Sequence, residues 1–485
     1  MAKYDFDMGI VGGGAGGLTV ASGAAQLGAR TLLVEKEKSL GGDCLHFGCV
    51  PSKTLIRTAH VRHLIKHAKD FGLPEVDVAA VDFNHVAARI QAVISKIQEH
   101  DSQERFCRLG AEVKFGEAVF TNDHTIKING TPYSAKNWVI ATGSSAAIPP
   151  IPGLKDSGYI TNRELFSLAR LPSSMVILGA GPIGIEMAQA FCRLGSRVEV
   201  VDMAGQILAK EDPDMARALM EVLVAEGVVF HLKATIKEVR TRGNQKEVQI
   251  EDSQGNVRLL KGDTLLVALG RQANTGGLNL QEIGVDFDRR GIQVDQRMRT
   301  SQKHIYAAGD AAGGYLFTHA AGYEGSIVLA NAIFHLPRKA DYTYFPWCTY
   351  TDPELASIGM NETRAKEAGI DCSVWTENFR DNDRSLAEGE HAGKIKLLLD
   401  GKEKPIGVQI LGPRAGDLLG EWVAALYGNV KLSTLASAVH PYPTIVEINK
   451  RVAGSFLSTK VFSNKVKKGL KFFFNLKGRA CGEAA

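Results

Sequence analysis

The chain has 485 residues, of which 45% are hydrophobic and 23% charged, with 51 glycines and a formal net charge of +4. This length exceeds what one hydrophobic core supports, so we expect roughly three domains. The small net charge does not indicate nucleic-acid binding, and no apolar run reaches the roughly 20 residues that cross a bilayer. Because the first residues lead directly into a strand, we expect a cytoplasmic protein without a signal peptide.

Two cysteines, Cys44 and Cys49, lie in a glycine-rich stretch that runs from Gly41 to Lys53. A thiol pair this close can open and close as a disulfide, and the thiolate is its reactive form. The alternative is a pair of buried cysteines that never meet. The seven cysteines of the chain are few and irregularly spaced, unlike those of a secreted disulfide scaffold. In a reducing compartment such a pair is more often catalytic than structural.

The first chemical motif precedes the cysteines. An apolar strand, Met8–Val11, is followed by the GxGxxG sequence of residues 12–17, a helical pattern from Leu18 to Gly28, and a strand that ends at Glu35. In this context the glycines let the backbone approach a pyrophosphate at a helix N-terminus, and the glutamate can bind an adenosine ribose. A plain strand-to-helix turn is the simpler alternative.

The region after the cysteines reads as helical. A helix from about Val50 would point its N-terminus toward the cofactor, and an apolar-periodic segment predicts one long helix from Phe83 to about Leu109. His60, His63 and His67 share one helical face, which could suggest a metal site. Without a carboxylate or cysteine at ligand spacing we favour a solvated face and expect no resident metal.

The opening pattern repeats after the proline-rich linker of residues 148–153. A strand, Met175–Leu178, is followed by a second GxGxxG sequence at residues 179–184, a helix to Gly195, and a strand closed by Asp202. Two dinucleotide folds imply two dinucleotides. An acidic residue at this strand end favours NADH, because it would repel the 2′-phosphate of NADPH.

The later chain holds weaker signals. A strand ends at Gly309-Asp310 before a helix from about Thr318, and the aspartate could bind the hydroxyls of a flavin's ribityl chain or merely end the strand. From about Asp341 strands predominate, followed by a helix over Ala415–Tyr427. Residues 460–479 alternate lysines with apolar residues, which predicts either a basic amphipathic helix on a membrane surface or a surface-packed or disordered tail.

Together these motifs resemble those of the flavoprotein pyridine nucleotide-disulfide oxidoreductases, which include dihydrolipoyl dehydrogenase, glutathione reductase and mercuric reductase. The resemblance covers residues 5 to about 460 and rests on motifs in a fixed order: GxGxxG with Glu35, GGxCxxxGCxPSK from Gly41, Ala-Thr-Gly at 141–143, the second GxGxxG, Gly-Asp at 309–310 and Thr-Asp-Pro-Glu at 351–354. It implies an α/β fold with two Rossmann-like dinucleotide-binding domains, for FAD and NAD(P), and a C-terminal α+β dimerisation domain.

The resemblance also implies domain boundaries. They are an FAD-binding domain at 1–152 with the redox-active cysteines, an NAD(P)-binding domain at 153–273, the second part of the FAD and central domain at 274–340, a dimerisation domain at 341–460, and a basic tail at 461–485.

The resemblance assigns roles to individual residues. FAD would be held by Gly12, Gly14, Gly17, Glu35 and Asp310. The nicotinamide cofactor would be held by the second fingerprint with Gly179, Gly181 and Gly184, and by Asp202. Further cofactor-binding residues would be Lys53, Thr142, Gly143 and Gly270. Cys49 would face the flavin and Cys44 would attack the acceptor, while Lys53 would lie near flavin N5 and pair with Glu186. A homodimer would deliver Tyr442 and Glu447 into the partner's site.

One motif departs from the disulfide reductases of this family. They carry a histidine five residues before the glutamate, where this chain has Tyr442, and His440 stands two residues too early. Tyrosine has an unperturbed pKa near ~10 and is a poor base at neutral pH, so efficient oxidation of dihydrolipoamide is not expected. The motif resembles that of mercuric reductase, but those enzymes have a vicinal cysteine pair near the C-terminus, where this chain has only Cys481.

The sequence therefore predicts an FAD-dependent NAD(P)H:disulfide oxidoreductase, mercuric-reductase-like, whose acceptor is a small-molecule or protein disulfide or a soft metal. The alternatives are mercuric reductase proper, dihydrolipoyl dehydrogenase, and a redox-sensing flavoprotein docked on a membrane or partner through its basic tail.

Overall fold

The computed structural model describes residues 4–478 and 480 of the chain. These residues form two compact units. The first contains the chain to Ile207 together with Val224–Asp341, and the second contains Leu208–Leu223 together with the chain from Tyr342 onward. Every helix of the described residues is too short or too polar to cross a lipid bilayer.

The N-terminal part of the first unit alternates strands and helices around a parallel sheet. Its elements are β1 (Phe6–Val11), α1 (Ala15–Gln26), β2 (Thr31–Glu35), α2 (Gly42–His46), α3 (Cys49–Lys66), α4 (Phe83–Gln98), α5 (Gln103–Arg108), β3 (Ala111–Phe115), β4 (Ala118–Asn122), β5 (Thr125–Ile128), β6 (Thr131–Ile140), β7 (Ser144–Ala146) and α6 (Asn162–Leu165). The strand order is β3-β2-β1-β6-β5-β4, in which β3, β2, β1 and β6 run parallel. The central strands are buried on both faces, which explains their nearly continuous apolar sequence.

The next part of the first unit repeats this architecture on a smaller scale. Its elements are β8 (Ser174–Leu178), α7 (Pro182–Leu194), β9 (Arg197–Val201), β10 (Val229–His231), β11 (Thr235–Arg242), β12 (Gln245–Glu251), β13 (Val257–Gly262), β14 (Thr264–Val267) and β15 (Arg271–Ala273). The helix α8 (Pro213–Ala225), which follows β9 in the chain, belongs almost entirely to the second unit. The strands β10-β9-β8-β14 form a parallel sheet, β11-β12-β13 form an antiparallel one, and β15 pairs with β7. Both dinucleotide folds predicted from the sequence are present.

The chain then returns to the first sheet. The elements are β16 (Ile305–Ala307) and α9 (Thr318–Ala332). Because β16 pairs in parallel with β6, the Gly309-Asp310 turn that follows it lies at the carboxyl edge of the first sheet. Ligands of open parallel sheets bind at this edge.

The second unit is built on an antiparallel sheet. Its further elements are β17 (Pro346–Thr349), β18 (Glu354–Gly359), α10 (Glu362–Glu367), β19 (Cys372–Asn378), α11 (Asp383–Glu388), β20 (Lys394–Asp400), β21 (Pro405–Gly412), α12 (Ala415–Tyr427), α13 (Leu432–Ser437), α14 (Glu447–Val461) and α15 (Asn464–Phe474). The strand order is β17-β18-β21-β20-β19, and apolar side chains of α12 and α14 join those of the sheet in one core. The buried Trp422 donates a hydrogen bond to Asn449 at 2.9 Å, which fixes these two helices together.

Two helix predictions were wrong in their limits. The predicted helix from Phe83 to Leu109 is interrupted after α4, because Ser102 caps a separate helix by accepting a hydrogen bond from the amide of Arg105. The first helix begins at Ala15 rather than at Leu18, since the fingerprint glycines already lie within its first turn.

Candidate active site

The two glycine fingerprints have nearly the same geometry. Gly12 has a φ of +110° and Gly179 a φ of +111°, values that L side chains rarely adopt. A Cβ atom would lie 2.2 Å from the carbonyl of Ala141 at the first position and 2.3 Å from that of Ala268 at the second. In each fold, glycine lets the turn after the first strand pack directly on a neighbouring backbone.

The other glycines of the first fingerprint have two different roles. One allows close backbone packing, and the other leaves space for a ligand. A Cβ atom at Gly17 would lie 1.9 Å from the Gly12 carbonyl, so no side chain fits there. Gly14 instead is the N-cap of α1, has no side-chain capping bond, and faces nearly open space. The amides of this first turn can therefore donate hydrogen bonds to a phosphate, as the binding of FAD requires.

The second fingerprint fits a dinucleotide for the same reason. Gly184 would place a Cβ atom 2.0 Å from the Gly179 carbonyl, whereas Gly181, the N-cap of α7, has nothing within 4 Å of its Cβ position and no side-chain cap. The geometry of the two folds agrees within about 0.1 Å at these contacts.

The two acidic residues stand at equivalent strand ends. Glu35 accepts a hydrogen bond from the amide of Gly13 at 2.7 Å, and Asp202 accepts one from Ala180 at 2.6 Å. A carboxylate has about four acceptor positions, so each retains capacity for the hydroxyls of a ribose. This arrangement fits FAD at the first fold and NAD(P)H at the second.

The remaining predicted cofactor positions line turns between strands. The hydroxyl of Thr142 donates to the carbonyl of Asn274 at 2.7 Å, and the side-chain amide of Asn274 donates back to the Thr142 carbonyl at 2.9 Å. Gly143 and Gly270 have φ values of +70° and +122° and face open space. These glycines leave room for a ligand beside the backbone.

Asp310 belongs to a polar network that reaches the cysteine stretch. The Ser144 hydroxyl donates to its carboxylate, and burial raises the pKa of that carboxyl group above its ordinary value. Arg271 donates to Ser144 at 2.7 Å and to Asp43, next to Cys44, at 2.9 Å. The network therefore holds the helix of Cys44 against the turn that carries Asp310.

The two cysteines lie on different short elements. Cys44 is in α2, which begins after Gly41 at a φ of +114°, and Cys49 is the first residue of α3. Both are free thiols, Cys44 half-buried and Cys49 exposed. Their side chains share a hydrogen bond, and Cys49 also lies 3.3 Å from the hydroxyl of Thr318 at the start of α9.

The pair is electrostatically asymmetric. The pKa of Cys49 is lowered to about 6, mainly by the hydrogen bond from Cys44 and further by the Thr318 hydroxyl and the charge of Lys53. The pKa of Cys44 is raised, because its proton is held by Cys49 and because the thiol is buried. At neutral pH the reduced pair therefore holds a thiolate at Cys49 and a thiol at Cys44.

We expect the substitution Thr318→Val to raise the pKa of Cys49 by about one unit, since it removes a hydrogen bond to a charged sulfur. The rate of Cys49 alkylation by iodoacetamide in the reduced protein, followed against pH by mass spectrometry, measures this value. Thr318→Ser keeps the hydroxyl and is the matched control. An unchanged midpoint in Thr318→Val would show that this hydroxyl does not stabilise the thiolate.

Lys53 and Glu186 form an ion pair beside the cysteines. Lys53 follows Cys49 by one helical turn on α3, and its Nζ atom lies 2.7 Å from Oε2 of Glu186 on α7. The side chain of Glu186 is only 6% exposed. A buried carboxylate of this kind holds the lysine charge in place near the sulfur.

Tyr442 and His440 of the C-terminal motif are both engaged in hydrogen bonds, so neither stands ready as a general base. Tyr442 is 71% exposed and donates to Asp383 at 2.8 Å, a bond that raises the pKa of the phenol above its ordinary value of 10. The ring of His440 is buried, with Nε2 3.0 Å from Glu421 and Nδ1 3.3 Å from the carbonyl of Ala438. Both of its ring nitrogens are engaged.

Two further predicted residues lie at or beyond the edge of this motif. Glu447 is the first residue of α14 and accepts a hydrogen bond from the amide of Thr444 at 3.3 Å. Cys481 lies outside the described residues.

Sequence reasoning missed three residues of this site. Thr318 was seen only as the start of a helix, and Arg271 and Asn162 were not singled out. The side-chain amide of Asn162 donates to the carbonyl of Phe47, between the two cysteines, at 3.0 Å. The arginine directly after Gly270 was the available signal, since a charged residue at a strand end beside a cofactor glycine suggests an anionic partner.

Comparisons with known proteins agree with this geometry. Residues 6–325 match the family model of pyridine nucleotide-disulphide oxidoreductases, and residues 345–453 match the dimerisation domain of the same family. The chain is 32% identical to a mercuric reductase of Bacillus cereus over 92% of its length and 70% of that protein's. It is 35% identical to a dihydrolipoyl dehydrogenase of Geobacillus stearothermophilus over 93% of its length and 96% of that protein's.

Among solved structures, the HOCl-induced flavoprotein disulfide reductase RclA from Escherichia coli superposes with a TM-score of 0.83 at 27% identity, covering 92% of this chain and 99% of that one. The sequence-based predictions of the α/β fold, of FAD and NAD(P)H as cofactors and of an enzyme are confirmed. The dimerisation domain supports the predicted homodimer. With two dinucleotide folds, a paired CxxxxC site and these relatives, the chain belongs to the family of FAD-dependent pyridine nucleotide-disulphide oxidoreductases.

Proposed function

We propose that this oxidoreductase uses Cys44 to deliver electrons from NAD(P)H, with NADH favoured, to a thiophilic acceptor in the manner of mercuric reductase. The acceptor is a soft-metal ion or a disulfide. With a disulfide the balance is NADH + H⁺ + RS–SR → NAD⁺ + 2 RSH. When bound, FAD supplies the two-electron relay between the nicotinamide and the cysteine pair.

The hydrogen bond between Cys44 and Cys49, together with the engagement of His440 by Glu421, carries this choice of acceptor. The reduced pair gives Cys49 the charge and leaves Cys44 protonated. Thiol–disulfide exchange requires a thiolate, so an efficient disulfide reductase needs a base to take this proton. His440 is engaged with Glu421, and the phenol of Tyr442 is a weaker base than the histidine of the family motif.

A soft metal ion does not need that base. A metal that binds sulfur displaces the proton itself, since a coordinating thiol is deprotonated outright. Cys44 and Cys49 together offer two sulfur ligands, and soft thiolates select soft metals. The electron path to Cys44 thus suits a metal ion at least as well as a disulfide.

The residue roles that accompany this proposal are those of the family. Glu35, Asp310 and the first fingerprint hold FAD, and the second fingerprint with Asp202 holds the nicotinamide cofactor. Lys53, positioned by Glu186, stabilises negative charge beside Cys49. Tyr442 and Glu447 enter the partner's site in the homodimer. The domain boundaries given above and a cytoplasmic location complete the proposal.

A steady-state panel tests the acceptor. The holoenzyme is supplied with NADH or NADPH and with Hg(II), glutathione disulfide, lipoamide or a quinone as acceptor. We expect NADH to exceed NADPH and Hg(II) to exceed lipoamide in kcat/KM. Turnover of lipoamide at a rate above that of Hg(II) would overturn the proposal in favour of dihydrolipoyl dehydrogenase.

A second candidate function is a redox-sensing flavoprotein that docks on a membrane surface or on a protein partner. The observation that favours it is α15, which leaves a basic and aromatic surface exposed. Sedimentation of the intact holoenzyme with lipid vesicles tests membrane docking, and a protein that stays in the supernatant at every lipid composition would remove that form of the idea.

A further inference from the structure

The helix α15 has its own N-terminal cap but contributes no buried side chain to its unit. Its N-cap, Ser463, accepts a hydrogen bond from the amide of Val466, and the helix ends at Asn475 in the left-handed conformation. None of its residues is buried. An isolated helix of this length is marginally stable in water, so burial of one face would supply what its sequence lacks.

The phenylalanines of α15 are strongly exposed, whereas Val466 and Leu470 are about 40% exposed. Phe472, Phe473 and Phe474 are 81%, 77% and 70% exposed, respectively. At about 100° of rotation per residue, Phe473, Val466, Leu470 and Phe474 fall within an arc of roughly 100°. Phe472 lies outside this arc. We name these four residues the apolar face of α15.

Lysines occupy the rest of the helix. They are Lys465, Lys467, Lys468 and Lys471. Between Lys460 and Arg479 the sequence has seven basic residues and no acidic one. A helix with one apolar face and lysines on most of its remaining surface is complementary to a layer that is negatively charged outside and apolar beneath.

We propose that α15 is an interfacial helix that binds the surface of an anionic bilayer through its apolar face. The proposal rests on the docking function inferred above and identifies an anionic bilayer as the docking partner. The lysines beside the apolar face contact anionic headgroups, while Phe473 and Phe474 enter the boundary between headgroups and acyl chains. The helix lies in the plane of the surface, since it is too short and too polar to cross.

An anionic bilayer fits this surface better than a nucleic acid or an acidic protein. Phosphates of a nucleic acid would pair with the lysines but would leave the apolar face in water. An acidic protein would need an apolar groove framed by carboxylates, whereas anionic lipid offers both features at every point of its surface.

Two adjacent phenylalanines provide a matched test. The intact holoenzyme and the variants Phe473→Asp and Phe472→Asp are sedimented with vesicles of phosphatidylcholine alone or with 30% phosphatidylserine, a fraction set roughly to mimic an anionic leaflet. Binding should require the anionic lipid. Phe473→Asp should weaken it about tenfold or more, and Phe472→Asp much less, because only the first lies on the apolar face.

Two further measurements test the role of the lysines and the surroundings of residue 473 independently. Replacing Lys467 and Lys471 with glutamate should weaken binding at least about 25-fold, at roughly fivefold for each lysine removed from the surface. The emission of Phe473→Trp should shift to the blue on anionic vesicles. NADH oxidation in solution should not change in any variant, so failure of this proposal is separate from failure of the proposed enzyme function.

Three outcomes would overturn the proposal. Equal binding to neutral and anionic vesicles would remove the role of charge. Equal loss in Phe472→Asp and Phe473→Asp would remove the assigned face. If Phe473→Asp changes the sedimentation coefficient without vesicles and leaves vesicle binding intact, a second copy of the chain covers this face instead.

Discussion

Replacing Cys49 with serine is expected to lower NADH-dependent reduction of Hg(II) or a disulfide by at least about 10³-fold. A serine hydroxyl cannot form the disulfide that must accept electrons, and it is not ionised at neutral pH. The same change removes the low-pKa thiolate that Cys44 and Thr318 stabilise. Any long-wavelength absorbance that a thiolate beside FAD gives on anaerobic titration with NADH should therefore disappear.

Cys44→Ser is the matched variant, and it separates the two sulfurs. It should lose acceptor reduction to a similar extent, because the attacking thiol is gone. It should keep the long-wavelength band, because Cys49 and its contact with Thr318 remain. Reduction of ferricyanide, which takes electrons without the cysteines, should persist in both variants and shows that they are folded and loaded with FAD.

The opposite pattern would contradict the assignment of the two cysteines. If the band persists in Cys49→Ser and is lost in Cys44→Ser, the roles of the flavin-side and acceptor-side sulfurs are exchanged. If acceptor reduction survives in both variants, electrons leave the enzyme without the pair, and the proposed path through Cys44 is wrong.

The parts of this fold that the sequence predicted are those with a local physical signature. A fingerprint such as Gly12–Gly17 can be recognised in the sequence, because close backbone approach excludes every residue except glycine at its tight positions. The helix predicted over Ala415–Tyr427 agrees with α12 to the residue. The break between α4 and α5 was missed because apolar residues resume at Phe106 after the wholly polar residues 98–105, and the capping hydrogen bond to Ser102 shows where the second helix begins.

The site residues that were missed have partners far away in the chain. Thr318 is 269 residues from Cys49, and Arg271 is 228 residues from Asp43. Neither a threonine at a helix start nor an arginine at a strand end says which sulfur or carboxylate it will meet. The state of His440 was likewise open, since this loop residue meets Glu421 on α12 and no spacing links the two.

The substitution Tyr442→His is expected to raise the turnover of lipoamide by about 10²-fold or more. Tyrosine is an unsuitable base here, because its hydrogen bond to Asp383 raises a pKa that is already far above neutral. A histidine with a pKa near ~6.5 is largely neutral at pH 7.5 and can take the proton that Cys44 retains, a step worth roughly 10²–10⁴-fold in rate. Glu447, five residues later, would orient the new ring as in the family motif.

The pH dependence of kcat/KM distinguishes general-base catalysis by the new histidine from a gain that comes only from the smaller side chain. In Tyr442→His, kcat/KM for lipoamide should fall as the pH drops through the pKa of the new imidazole, since only the neutral ring accepts a proton. Tyr442→Phe opens the same position without a base and should show no gain. His440→Asn should leave turnover nearly unchanged, because that ring is already engaged with Glu421. A gain in Tyr442→Phe equal to that in Tyr442→His, or a large loss in His440→Asn, would mean that the proton leaves Cys44 by another route.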